Sequence, residues 1–215
     1  MKMLAKEWKL CMHPMGYIML LCSALILVPG YPYGVSCFYM GLAIFFICLT
    51  ARENHDASYT LMLPVSRADA VKARILFASV LEVIDLILIG AFILLKNAIG
   101  NMPNPAGLDA GLALIGEALI LFAIFNMIFF PIYYRDINKP GKAFAFAATA
   151  VFAWITIEVI ATYTVPFVQA LDTLDPQNMR DKALFTLAGL ALFLAGTAKS
   201  IQLSIKHFEE TDLSL

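Results

Sequence analysis

Charge is scarce in this chain: across 215 residues Lys, Arg, Asp and Glu together make 14%, against 61% hydrophobic residues. A water-soluble domain carries about a quarter of its residues as charged groups, so the shortage, with a mean hydropathy of +0.80, excludes a soluble fold. Catalytic machinery is lacking too: there is no GxxxxGK[ST] phosphate loop, no HExxH zinc motif and no GxSxG elbow. Gly111 and Gly116 have the outer spacing of a phosphate loop, but Glu117 stands where the phosphate-holding lysine is required. His13, His55 and His207 lie far apart, and Cys11, Cys22, Cys37 and Cys48 form no CxxC pair, so no metal signature is present. The expectation is a chain with no catalytic residue, no metal or cofactor of its own and no nucleic-acid partner.

Long apolar runs are what the chain does have. An apolar helix needs about 20 residues to cross a hydrocarbon core roughly 30 Å thick. Six runs approach that length: 12–28, 33–50, 75–95, 111–134, 143–163 and 183–200, the first cut short by Pro29. They are apolar on all sides rather than alternating, which argues against barrel strands. The prediction is an all-α integral membrane protein with six transmembrane helices in one domain, 1–215.

Basic residues set the orientation, because short cytoplasmic loops retain them. Lys2, Lys6, Lys9, Arg52, Arg67, Lys72, Arg74, Arg135, Lys139, Lys142, Lys199 and Lys206 fall on one side of the six runs, and only Lys96, Arg180 and Lys182 on the other. This asymmetry places both termini in the cytoplasm of a multi-pass plasma-membrane protein, with external loops at 97–109 and 164–182; the second could hold a short helix at 167–174. At the N-terminus, "MKMLAKEWKLCMH" (1–13) sets Met1, Leu4, Trp8 and Cys11 on one helical face and Lys2, Lys6, Lys9 and His13 on the other. That pattern predicts an interfacial helix on the inner leaflet. A frayed extension of the first span is one alternative; a secretory signal is the other, opposed by "VPGYPYG" in place of a small-residue cleavage site.

The longest cytoplasmic interval, 51–74, lies between spans two and three. Pro64 biases residue 63 away from helix, and "VSRAD" restarts one, with Ser66 as N-cap and Asp69 at the capping-box position. Two short helical pieces flank the proline. Tyr59, Leu61, Met62 and Leu63 offer apolar surface ahead of the basic Arg67, Lys72 and Arg74. The element suits either the groove of a cytosolic partner or an anionic lipid surface.

The segment "RENHDASYTLMLPVSRADAVKAR", with its LP-x-SR-x-x-x-V-K pattern, resembles the corresponding loop of small six-span permeases of type-2 ATP-binding-cassette transporters, and the likeness in layout runs over the whole chain. In size it most resembles the permeases that export amphipathic peptide toxins of the phenol-soluble-modulin kind. The resemblance implies a separate cytosolic ATPase subunit that binds ATP and Mg, and a second permease subunit, identical or related. It also implies a coupling helix in 51–74, with Tyr59, Leu61, Leu63, Pro64, Ser66 and Arg67 facing the ATPase, and an amphipathic peptide as cargo. An ion-coupled carrier, or a membrane anchor that recruits a cytosolic protein through the same loop, remains the alternative to such an exporter.

Four carboxylates fall within the spans, where a charge costs at least a few kcal/mol unless it meets water or a partner. Glu82 and Asp85 share one face of span three near mid-depth, and Glu117 and Glu158 lie in the outer halves of spans four and five. They either line an acidic cargo cavity or bond neighbouring spans. Small residues mark helix contacts, which assigns Ala188, Ala191, Ala195 and Ala198 to packing on span six and Ala143, Ala147 and Ala150 to packing on span five.

Overall fold

The computed structural model describes residues 6–62, 64–100, 104–173 and 178–210; the side chains of Leu10, Ser58 and Leu61 are not among the described parts. Among the described residues the regular structure is all helical, with no strand. After a π-helical turn, Glu7–Cys11, come α1 (Pro14–Leu21), a 3₁₀ segment (Cys22–Leu27), α2 (Gly34–Glu53), α3 (Asp56–Met62), α4 (Arg67–Ile99), α5 (Leu112–Tyr133), α6 (Pro140–Thr164), α7 (Pro166–Leu171) and α8 (Met179–Glu210). Five of these, α2, α4, α5, α6 and α8, are long and apolar enough to cross a membrane. Without water to bind their backbone amides, such runs satisfy their hydrogen bonds only internally, as helix.

The first apolar run departs from the expected single span. His13 caps α1 through Nδ1, which accepts from the Met15 amide at 3.0 Å, and Pro14 begins the helix. The helix then tightens into 3₁₀ turns and stops at Val28, held extended by the proline that follows. At 1.5 Å and 2.0 Å of rise per residue the two pieces reach about 24 Å, short of a full hydrocarbon core. Gly30, at φ +75, closes the turn into α2.

The N-terminal segment also differs from a 13-residue amphipathic helix. Its described part is one π turn that buries Glu7 and Cys11, while Trp8 faces outward with its ring edge on Phe77. Lys6 turns inward to the protein instead of outward to headgroups. Residues 1–5, which carry Met1, Lys2 and Leu4 of the expected faces, lie outside the described residues.

Helix α5 is the centre of the bundle, packed chiefly on α8 and α6. The α5–α8 crossing turns on two glycines: a Cβ on Gly189 would lie 2.5 Å from the Gly116 carbonyl oxygen, so the backbones meet where neither can carry a side chain. This corrects the assignment of the alanine stripe. Ala188, Ala191, Ala195 and Ala198 are all exposed on the outside of the helix, and α8 packs through Gly189, Phe193, Thr197, Ser200, Ser204 and Phe208. On α6 the small residues do pack: Ala143 and Ala147 are fully buried, with Ala150 half-buried at the edge.

Candidate functional site

The interval 51–74 is almost entirely helical. Helix α2 runs on to Glu53, and the chain reverses at Asn54 and His55, the latter in the left-handed region at φ +50. Helix α3 follows, and α4 starts at Arg67 as one continuous 33-residue helix, with no separate short piece after Pro64. Ser66 caps α4 as its spacing implies: its Oγ accepts from the Asp69 amide at 3.0 Å and donates to Asp69 Oδ2 at 2.7 Å.

Of the expected docking residues, Tyr59 is 56% exposed, and its neighbour Met62 is 77% exposed. Pro64 and Ser66 are exposed as well. Leu63 and the Leu61 side chain lie outside the described residues. Arg67 is half-buried and occupied: Nη1 donates to the Phe208 carbonyl at 2.9 Å and more weakly to that of Glu209 at 3.4 Å, with the guanidinium 5.7 Å from the Phe208 ring. It therefore ties the start of α4 to the end of α8, where a cation also suits the helix dipole.

Behind this surface stands an ionic cluster that sequence reasoning missed. Arg74, 6% exposed, donates through Nε to Glu7 Oε2 and through Nη2 to Asp56 Oδ2 at 2.5 Å. Lys6 Nζ binds Asp56 Oδ1 at 2.8 Å and Thr60 Oγ1 at 2.6 Å. One arginine thus joins the N-terminal turn, α3 and α4. Burial pushes the Asp56 carboxyl up, but the charges of Arg74 and Lys6 and their hydrogen bonds outweigh it and leave it below its ordinary value. Glu7, Cys11 and Asp56 bring ligand atoms within 4.8 Å of one another, a spacing a metal could use. Both carboxylates already bind Arg74, and burial pushes the Cys11 thiol up to about 12, so the trio is fitted to a guanidinium. A small cavity of about 70 Å³, lined by Arg74, Asp56, His55 and Tyr133 among others, adjoins it.

The intramembrane carboxylates do not share one cavity. Glu82 and Asp85 are both 0% exposed. Glu82 Oε2 accepts from Asn126 Nδ2 of α5 at 2.9 Å, and Asp85 Oδ1 from Ser23 Oγ of the 3₁₀ segment at 2.6 Å. The second oxygen of each, Glu82 Oε1 and Asp85 Oδ2, is buried without a hydrogen bond. Asn126 extends the contact, approaching Thr197 Oγ1 at 3.4 Å and accepting at its carbonyl from Ser200 of α8 at 2.7 Å. The pair thus sits in a polar seam between helices.

Glu117 and Glu158 belong to the opposite end of the bundle. Glu117 is buried against Gly34, where a Cβ would stand 3.2 Å from its Oε1. Glu158 Oε1 accepts from the Leu108 amide at 2.7 Å, and Gly107, at φ +129, leaves room for that carboxylate. Asp172 Oδ1 accepts from the Asp109 amide at 2.7 Å and Asp109 Oδ1 from the Asn104 amide at 2.5 Å, so acidic side chains order the 104–110 connection. Lys96 is buried beside them, bound to the Ile26 carbonyl at 3.1 Å and to the Tyr33 hydroxyl. The short helix expected at 167–174 is Pro166–Leu171, beginning one residue before the expected stretch; residue 174, where that stretch ends, lies outside the described residues.

A family model described as ABC-2 family transporter protein matches residues 2–209. No curated protein and no solved structure matches.

Proposed function

The chain belongs to the ABC-2 transporter family, and on that premise we propose that it is the permease subunit of an ATP-driven exporter of hydrophobic or amphipathic peptides. The family implies a partner ATPase subunit; in this reading that subunit binds ATP and Mg, two permeases assemble about a two-fold axis, and the α3 end of the bundle faces the cytoplasm with both termini. The 14–27 segment completes a sixth, thinner crossing. Peptide cargo and outward direction rest on the resemblance of the 52–74 segment to the loops of peptide-toxin exporters.

The observation that carries the reading is the pairing of an exposed apolar tip with a rigid mount. Tyr59 and Met62 project from α3, while Asp56, one and two turns back, is anchored through Arg74 to α4 and through Lys6 to the N-terminal turn. A push on α3 by a closing ATPase is therefore delivered to α4, which at about 1.5 Å per residue is roughly 50 Å long. Along α4 the displacement reaches Glu82 and Asp85. Their unpaired oxygens make the seam with α5 and the 3₁₀ segment an interface that gains hydration when it parts. An acidic, wetted seam favours a cationic amphipathic peptide over a neutral one.

Retention of the ATPase subunit tests this. Met62→Asp and Tyr59→Asp put charge on the tip without removing a member of the cluster, and each should lower co-purification of the ATPase and cargo-stimulated ATP hydrolysis at unchanged permease yield. Unchanged retention and unchanged hydrolysis in both variants overturn docking at α3. Arg67→Glu is a poorer test, because it also releases the end of α8.

A further inference from the structure

At the end of the bundle away from the ionic cluster, a chamber of about 410 Å³ lies between the last turns of α4, the start of α5, the end of α7 and the start of α8. That volume is in the range of small-molecule sites. Ile93, Leu94, Ile115 and Leu171 give it apolar walls, and Asp109 and Lys182 supply one charge of each sign. Leu94, at the rim, is 72% exposed on the outside of the bundle, so the chamber opens sideways, toward where a bilayer lies.

Lys182 is the unusual member. It is 5% exposed, yet its ammonium neither donates a hydrogen bond nor makes an ion pair among the described residues. Asp109 and Asp172 act on it only through space. The other buried lysine at this end, Lys96, has its acceptors in Ile26 and Tyr33. The Lys182 Nζ itself stays accessible, so its three N–H donors are left to whatever occupies the chamber, and Asp109, the acid that shares the chamber, makes no ion pair with it. The result is two separated poles of opposite sign beside an apolar wall, which is the complement of a dipolar head with a hydrocarbon tail. A head carrying only negative charge would set a second anion against Asp109. A neutral head would leave Lys182 without a strong acceptor.

We propose that this chamber binds a zwitterionic phospholipid of the surrounding bilayer, with its phosphate on Lys182, its ammonium toward Asp109 and part of an acyl chain along Ile93, Leu94 and Ile115. The site would fasten lipid where α4, α5 and α8 meet, independently of what the protein transports.

Native mass spectrometry of the full chain released from detergent tests it, with phosphatidylethanolamine, phosphatidylglycerol and diacylglycerol of identical acyl chains as probes. Phosphatidylethanolamine should be the lipid held best. Lys182→Gln and Asp109→Asn should each weaken its retention about tenfold, the loss of one charge-assisted contact. Gly90 lines the chamber, and a Cβ there meets nothing within 4 Å. Gly90→Leu should therefore fill the site and abolish the preference while the melting temperature holds or rises, since glycine is the weaker helix former. Equal retention of diacylglycerol, stronger retention of phosphatidylglycerol, or an unchanged preference in Gly90→Leu overturns the proposal.

Discussion

Arg74 carries the sharpest stability prediction. Replacing it with Met keeps much of its volume and removes the guanidinium that two buried carboxylates share. Removing one member of a buried ion pair costs about 3–5 kcal/mol, because the other is left charged and unsolvated. The two carboxylates do not suffer equally. Asp56 keeps Lys6 at 2.8 Å, whereas Glu7, with a side chain 3% exposed, keeps only a 3.5 Å contact to the same lysine. The loss therefore falls mainly on Glu7, near the lower bound at about 3 kcal/mol. In a chain of this size that corresponds to about 6–12 °C in melting temperature. Hydrogen exchange should rise at 7–11 and 56–62 before it rises elsewhere, since those segments lose their tie to α4. Glu7→Gln added to Arg74→Met removes the stranded charge and should recover a large part of the loss, the coupling expected of residues in direct contact. An unchanged melting temperature with unchanged exchange refutes the reasoning, as does a double variant whose losses simply add.

The glycine crossing separates the inward from the outward face of α8: Gly189→Val should cost about 1–3 kcal/mol by overpacking against Gly116, while Ala191→Leu on the exposed side should leave the melting temperature unchanged. At the acidic end, burial pushes the Asp172 carboxyl up to about 6 from an ordinary 3.8. Its proton is held more tightly in the folded state, so the stability of the 104–110 connection is greatest in acid and is lost as pH rises through that window. Asp172→Asn, which keeps an acceptor for the Asp109 amide, should slow exchange there at pH 7.5 and leave it unaltered at pH 4; the same exchange rate as the parent at pH 7.5 contradicts this. Asp56 has the opposite sign: its folded value lies below 3.8, so its contribution is full above that pH and is lost in stronger acid. For orientation, Arg180 and Asn138 are both exposed; in a chain cleared of native cysteines, Arg180→Cys should react with an impermeant thiol reagent on intact cells and Asn138→Cys should not. The reverse labelling inverts the topology.

Local sequence determined the parts that local physics controls. An uninterrupted apolar run has no low-energy state in lipid except helix, so 33–50, 75–95, 111–134, 143–163 and 183–200 fall on long helices, of which Arg67–Ile99 starts and Met179–Glu210 ends two turns or more beyond the apolar run. The Ser66 cap is equally local, since its partner is three residues away. Composition also sufficed to place Glu82, Asp85, Glu117 and Glu158 inside the bundle, because a charge there needs a partner wherever it points. Which partner each takes was decided only by the tertiary structure. Glu7 and Arg74 are 67 residues apart, and Asn126 reaches Glu82 across 44; nothing in the intervening sequence encodes those meetings. The first apolar run satisfied the length rule only marginally: Pro14 and Pro29 bound it, and its α and 3₁₀ pieces stay in place through bonds such as Ser23 to Asp85. On α8 the alanines and the glycines differ by one residue in phase, about 100° around a helix. Composition ranks both as small, but only the backbone contact at Gly116, where the missing Cβ decides the distance of approach, selects the face that packs.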